Sequence, residues 1–225
     1  GMLYNLKSST DLAADLSTWD LEEGDIPATP STNLKTILRP GDLARYYRVE
    51  EFPAPPVAIF SDDFESDLGW TASVNDANGL TNWQRGAPSG VGPTTGANGS
   101  ATCFGTNLAS DYEFDANISL RSPAIDLTGA GLTKATLTFQ HFPDIEGEPF
   151  DNGTIRVLMN GTVTQLGANV GTVTAPGAAW AEYSADLPPE ALGQMIQLEF
   201  LFTSDDVQNQ AGWYIDDVLV TTSAP

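Results

Sequence analysis

The chain has 225 residues, 41% of them hydrophobic, and a formal net charge of −21. This length allows one large β domain or one domain with an arm, and the negative field argues against nucleic acid and anionic membranes as partners. No apolar run approaches the roughly 18 residues needed to cross a bilayer.

Residues 1–56 differ in pattern from the rest of the chain. Residues 11–16 suit a short helical turn, residues 43–49 form one convincing strand, and residues 52–56 (FPAPP) indicate a stiff, extended linker. We predict that residues 1–56 are an irregular N-terminal arm, or the remnant of a preceding domain.

From Val57 onward, short β-prone runs recur between turn residues, without a helical period of useful length. Such a pattern predicts an all-β, two-sheet antiparallel jelly-roll sandwich over residues 57–225. The candidate strands are residues 57–60, 68–74, 81–85, 100–104, 117–126, 132–141, 153–159, 162–166, 179–187, 194–203 and 212–221.

Adjacent carboxylates interrupt the apolar runs at both ends of this region. One pair, Asp62-Asp63, lies in residues 59–65, and the other, Asp216-Asp217, lies in residues 212–220. An unpaired carboxylate inside a strand is costly, so we expect the two terminal strands to lie side by side and share a cation. Oxygen ligands without a nearby histidine favour calcium.

Residues 61–221 carry a series of motifs that resembles a group of extracellular jelly rolls. These are the MAM-type domains, the cleaved-adhesin domains of bacterial secreted proteases and the galactose-binding-like carbohydrate-binding modules. The matching motifs are DFES (63–66), GW (69–70), DANG (76–79), NW (82–83), LRSPAIDL (120–127), LTF (137–139), DNG (151–153), Trp180 with residues 183–187, and GWYIDDV (212–218).

The resemblance implies one structural calcium that joins the first and last strands. Its ligands would be Asp63, Glu65 and either Asp216 or Asp217, with further oxygens from a loop. The chain departs from the animal MAM domains in having a single cysteine, Cys103. It also lacks an identifiable row of exposed aromatic residues of the kind that the sugar-binding members show.

Residues 144–148 (DIEGE) hold alternate acids, as jelly-roll glycoside hydrolases do. Pro149 follows at once and no tryptophan lies in the segment, so an acidic loop near Asp151 is the favoured interpretation. A hydrolase that uses Glu146 and Glu148, or a second cation held by Glu146 and Asp151, remains open.

The remaining chemistry is sparse. His141 is the only histidine, which excludes zinc sites built on several histidines and favours a polar strand end. Trp83, Arg85 and Tyr112 lie in or near loops and are candidates for ligand contact, since loops at sandwich ends often carry binding.

We therefore predict a non-catalytic binding or adhesion module, stabilised by structural calcium, whose ligand is a carbohydrate or an extracellular protein. Cys103 allows no intrachain disulfide, no signal peptide is visible, and Gly1-Met2 resembles a cloning remnant. The expected setting is a larger, multidomain protein that is secreted or displayed at the cell surface. The alternatives are the hydrolase and a structural spacer without a ligand.

Overall fold

A computed structural model of the chain describes residues 1–28, 32, 34–38, 41, 44–129, 131–171 and 178–223. The chain forms two compact units, Gly1–Pro56 with the C-terminal end of the chain, and Val57–Thr222. Within the described residues, no helix combines the length and the apolar character needed to cross a membrane.

The first unit contains a three-stranded antiparallel sheet, where the sequence pattern predicted only one strand. Its strands are β1 (Met2–Ser9), β2 (Asp20–Pro27) and β3 (Tyr46–Pro53), in the order β2-β1-β3. The helical turn expected at residues 11–16 forms only as a single hydrogen-bonded turn at residues 11–14, followed by a 3-10 helix at Leu16–Thr18. Leu43, which begins the predicted strand, lies outside the described residues.

In the part of the Val57–Thr222 unit that the structure describes, there are twelve strands. They are β4 (Val57–Asp62), β5 (Thr71–Val74), β6 (Trp83–Gly86), β7 (Cys103–Thr106), β8 (Asn117–Arg121), β9 (Ile125–Asp126), β10 (Lys134–Asp144), β11 (Asn152–Met159), β12 (Thr162–Val170), β13 (Ala181–Asp186), β14 (Met195–Thr203) and β15 (Gly212–Ser223). Each predicted run overlaps at least one of these strands. The run at 117–126 divides into β8 and β9 around Pro123, which has no N–H to give to a strand ladder.

Two sheets build the sandwich. The first sheet has the strand order β13-β10-β15-β7-β6, with β4 paired to β15. The second sheet has the order β12-β11-β14-β8-β5, with β9 paired to β14. The predicted two-sheet antiparallel jelly-roll sandwich is confirmed.

The core lies between the two sheets and follows the alternation seen in the sequence. Leu137 and Phe139 on β10, and Phe200 and Phe202 on β14, are at most 1% exposed. The rings of Phe139 and Phe200 meet edge to face across the sandwich, with centroids 5.1 Å apart. Burial of such side chains, at about 25 cal/mol per Å² of apolar surface, is the main force that joins the sheets.

The first and last strands of this unit pair side by side, as predicted. β4 runs antiparallel to β15, with Asp62 opposite Val218. Earlier along β15, Tyr214 and Ile215 pair with β7 instead. Asp216 and Asp217 therefore lie between two pairings, where the backbone of Asp217 has φ +49° and side chains can hold the neighbouring loops.

Candidate metal sites

Asp216 anchors the loop formed by residues 96–102. Its side chain is fully buried, and Oδ2 accepts hydrogen bonds from the Ala97 N–H (2.8 Å) and the Ser100 hydroxyl (2.6 Å). Burial raises the pKa of Asp216 to about 6, while the hydrogen bonds from Ser100 and Ala97 favour the ionised form. Between the segments of β15 that pair with β7 and with β4, the Asp216 carboxylate thus bonds to the loop of residues 96–102 in place of a neighbouring strand.

Glu65 and Asp217 hold the same loop from other directions. Oε1 of Glu65 accepts hydrogen bonds from the Ala101 N–H (2.7 Å) and the Thr102 N–H (3.0 Å). The Asn98 side-chain amide donates to Asp217 Oδ2 at 2.9 Å. Three of the four carboxylates predicted to share an ion therefore share a loop.

Asp63 does not join them in holding this loop. Its side chain is exposed, and Oδ1 accepts a hydrogen bond from the Glu65 N–H at 3.2 Å, which closes a local turn. Among the described residues, the predicted set does not include three carboxylates whose oxygens lie within 4.8 Å of one another. An ion in this place would have to take part of its oxygens from the loop.

A different group of carboxylates does converge, and we call it the carboxylate cluster. Glu146, Asp151 and Asp205 each offer an oxygen, and these oxygens lie within 4.8 Å of one another. Asp151 is fully buried and accepts hydrogen bonds from the Asp205 N–H (2.8 Å) and from the hydroxyl of Tyr112. Oε2 of Glu146 is buried and has no hydrogen-bond partner among the described residues.

The electrostatics of the carboxylate cluster favour a cation. Burial, together with the negative charges of Asp151 and Asp205, raises the pKa of Glu146. Burial raises the pKa of Asp151 as well, and the charge of Asp205 adds to that effect, whereas the hydrogen bond from Tyr112 opposes it. All the charges that act on these two groups are acidic, so a bound cation would relieve their repulsion.

Strand register brings the cluster together. Because β11 and β14 are antiparallel and Asn152 lies opposite Thr203, the residue before β11, Asp151, lies next to the segment that follows β14. The sequence analysis named Glu146 and Asp151 but missed Asp205. The acidic pair Asp205-Asp206, separated from the end of β14 by one residue, was the available signal, and it does not reveal the partner strand.

The arrangement predicted for a glycoside hydrolase is wrong. β10 ends at Asp144, so Glu146 and Glu148 lie in a loop rather than on one face of a strand. Glu146 points into the carboxylate cluster, whereas Glu148 is exposed and accepts a hydrogen bond from the Asn169 side chain.

Trp83 and Tyr112 were predicted to contact a ligand, and their burial shows that this prediction is wrong. Trp83 is 2% exposed and packs against Trp213 with ring centroids 5.5 Å apart, and Tyr112 is fully buried beneath the cluster. Neither ring offers a face to a ligand. Arg85 is exposed, and its guanidinium donates a hydrogen bond to the Phe64 carbonyl at 3.0 Å.

Comparison with known proteins gives one curated relative and several solved structures. No family model matches the chain. The relative is Bacillopeptidase F of Bacillus subtilis (strain 168), which is 34% identical over 165 residues, or 73% of this chain. The match covers 11% of that protein, so the chain spans about a tenth of the length of its relative.

The solved structures share the sandwich fold at low identity. The K1 cleaved adhesin domain of Lys-gingipain from Porphyromonas gingivalis W83 is 17% identical, with a TM-score of 0.47 over 72% of this chain and 96% of that one. A carbohydrate-binding module of the β-sandwich superfamily is 14% identical, with a TM-score of 0.48 over 79% and 67%. A Stig cyclase from Fischerella sp. TAU is 16% identical, with a TM-score of 0.49 over 76% and 99%.

The first two of these structures are named as a cleaved adhesin domain and a carbohydrate-binding module, two of the classes that the sequence motifs resemble. At such identities the likeness concerns the fold, and adhesins, carbohydrate-binding modules and cyclases all occur among the matches.

Proposed function

We propose that Val57–Thr222 is a non-catalytic binding or adhesion module of a larger extracellular protein, stabilised by structural calcium. Its ligand is a carbohydrate or another protein. The match to about a tenth of Bacillopeptidase F supports an accessory role, because the similar segment is a small part of a protein named as a peptidase.

The observation that carries the calcium proposal is the carboxylate cluster. Glu146, Asp151 and Asp205 bring three hard oxygen ligands together, and the buried Oε2 of Glu146 has no other partner among the described residues. Calcium prefers six to eight oxygens at about 2.4 Å, which carboxylates, carbonyls and water supply. The ion would cross-link the loop before β11 to the loop after β14.

A second ion is part of the proposal, held by Glu65 and Asp216 with Asp63 and Asp217 beside it. Its support is that Glu65, Asp216 and Asp217 all hold the loop of residues 96–102. Gly96 packs tightly in this loop, since a Cβ on it would lie only 2.1 Å from Ser100 Oγ and 2.6 Å from Asp216 Oδ2. This donor set also suits calcium.

Thermal melting with and without calcium tests the proposal. A ligand at a hundred times its dissociation constant stabilises the folded state by about 2.7 kcal/mol, and for a chain of this size each kcal/mol shifts Tm by about 2–4 °C. We expect calcium to raise Tm and EDTA to reverse the rise. In Glu146→Gln and Asp205→Asn the response should shrink, whereas in Glu148→Gln, a loop neighbour outside the cluster, it should persist.

Three outcomes bear on the proposal in different ways. If the rise of Tm with calcium is lost in Glu65→Gln but kept in Glu146→Gln, the stabilising ion binds at the loop of residues 96–102 and not at the carboxylate cluster. A wild-type Tm that changes with neither calcium nor EDTA would contradict the calcium proposal altogether. Binding of a glycan or protein ligand, screened on a glycan array and by pull-down, tests the module itself.

A further inference from the structure

The acidity of the Val57–Thr222 unit is unevenly distributed between its two sheets. The unit holds twenty-one acids and four bases. The strands of the first sheet contain six acids: Asp62, Asp144, Glu182, Asp186, Asp216 and Asp217. The first sheet also carries two bases, Arg85 and Lys134, so the net charge of its strands is −4. The strands of the second sheet carry two acids, Glu199 and Asp126 of the short strand β9, and two bases, Arg121 and Arg156, so their net charge is zero.

Three of the four charged residues on the strands of the second sheet lie in one row across its outer face. Arg156 is opposite Glu199 on β14, and Glu199 is opposite Arg121 on β8. Gln165 on β12 and Thr71 on β5 extend the row to both edges of the sheet. Since cross-strand partners point to the same side of a sheet, these five side chains form one face, which we call the arginine face.

Glu199 holds both guanidinium groups in place. Nε of Arg121 donates to Oε1 at 2.8 Å, and a terminal nitrogen of Arg156 lies 3.4 Å from Oε2. The Glu199 side chain is only 5% exposed, whereas those of Arg121 and Arg156 are 48% and 34% exposed. The terminal nitrogens of Arg121 make no hydrogen bond to another described residue.

The two arginines and Glu199 together carry a charge of +1, and the terminal nitrogens of Arg121 stay open to a ligand. A guanidinium fork matches a carboxylate through two parallel hydrogen bonds, and side chains that are already positioned lose little further entropy on binding. A second, parallel row lies four residues away from the arginine row on the same three strands. It consists of the uncharged polar residues Asn152, Thr203 and Asn117, which can form hydrogen bonds with hydroxyl groups.

We propose that the arginine face binds a carboxylated polysaccharide, with Arg121 and Arg156 each contacting carboxylates of uronic acid units. The inference rests on the proposed binding function and names its ligand class. A sugar chain fits better than an acidic peptide, because the two rows offer amide and hydroxyl groups rather than the aromatic anchors that dominate protein interfaces.

The negative charge of the unit sets the conditions for binding. At about 0.15 M ionic strength the Debye length is about 8 Å, so repulsion from the distant acids is largely screened while the contacts at Arg121 and Arg156 persist. Short oligomers with few carboxylates are therefore the appropriate probe.

Calorimetric titration of the full chain with a short oligogalacturonate, and with its methyl ester, tests the inference at fixed free calcium. We expect the acid to bind and the ester to bind at least about tenfold more weakly, since a charged hydrogen-bonded contact is lost. Arg121→Gln and Arg156→Gln should each weaken binding of the acid by a similar factor. Lys134→Gln, which removes one positive charge from the first sheet, should change it less than about twofold.

Equal binding of acid and ester, or equal loss in Lys134→Gln, would overturn the inference. Competition by poly-glutamate as strong as that by the oligogalacturonate would overturn the choice of a sugar. If a neutral glycan binds and the acidic one does not, the binding module stands while the inference about its ligand fails. Melting curves of the variants, compared with wild type, show that each one folds.

Discussion

His141 is a histidine that packing keeps neutral. It lies on β10 against Phe139 and Tyr183, and its Nδ1 is buried without a hydrogen-bond partner among the described residues. Burial lowers the pKa of His141 from 6.5 to about 4. In the unfolded chain the same group has an ordinary pKa, so acid favours the unfolded state.

This shift predicts a contribution to the pH dependence of stability that is specific to His141. Its contribution to stability is complete above pH 6.5 and is lost as the pH falls towards 4, with about 2 kcal/mol lost at pH 5. We expect His141→Leu to remove that part of the pH dependence. The measurement is denaturant unfolding at pH 7 and pH 5 in EDTA, and parallel pH dependences of wild type and variant would contradict the account.

At the same scale, two residue roles could not be read from the sequence. Trp83 and Tyr112 stand beside Gly-rich or acidic loops, which is typical of ligand-contacting aromatic residues, yet both are buried. Whether an aromatic side chain near a loop faces solvent or the core depends on the path of the loop, and local sequence does not determine that path.

Among the structural elements, the loop of residues 96–102 depends on carboxylates rather than on strand pairing. Glu65 accepts two of its N–H groups. We expect Glu65→Ala to lower the free energy of unfolding by about 1–3 kcal/mol and to speed amide exchange at Ala101 and Thr102. Glu182→Ala, at an exposed position on β13, is the control and should change stability by less than about 0.5 kcal/mol. Unchanged exchange at Ala101 and Thr102 would contradict the role of Glu65.

The start of β11 shows a packing requirement of a different kind. A Cβ on Gly153 would lie 2.6 Å from the ring of Trp213, which is fully buried. We expect Gly153→Ala to cost about 1–3 kcal/mol by overpacking, measured by denaturant unfolding. Gly129→Ala is the matched control, because its Cβ would make only an ordinary contact with Leu132 at 3.6 Å. Equal stability of the two variants would show that β11 can move away from Trp213.

The strands themselves were largely predictable, and the reason is periodicity. In β10 and β14, buried apolar residues such as Leu137 and Phe200 alternate with more polar ones. β1 and β2 escaped prediction because β1 is only partly buried along most of its length, while β2 is mostly exposed and carries acids and a glycine, so no buried stripe marks either strand. The carboxylate cluster escaped in part because Asp205 reaches Asp151 only through the register of β11 with β14.

For the whole molecule, the distribution of charge is the feature that links stability to function. Acids gather in the loops and the first sheet, where Glu146, Asp151 and Asp205 leave a site suited to a cation. On the outer face of the second sheet Glu199 lies between two arginines, and this face is suited to an anion. One strongly acidic unit thus has a site that favours a cation and a separate face that favours an anion.

The central claim is that the carboxylate cluster holds a calcium ion, and counting bound ions tests it most directly. Equilibrium dialysis of the full chain against calcium, followed by elemental analysis, gives the number of ions per chain. We predict that Glu146→Gln with Asp205→Asn binds one ion fewer than the wild type, and that Glu148→Gln binds the same number. A wild-type chain that retains no calcium, or a double variant that retains as much as the wild type, would contradict the claim.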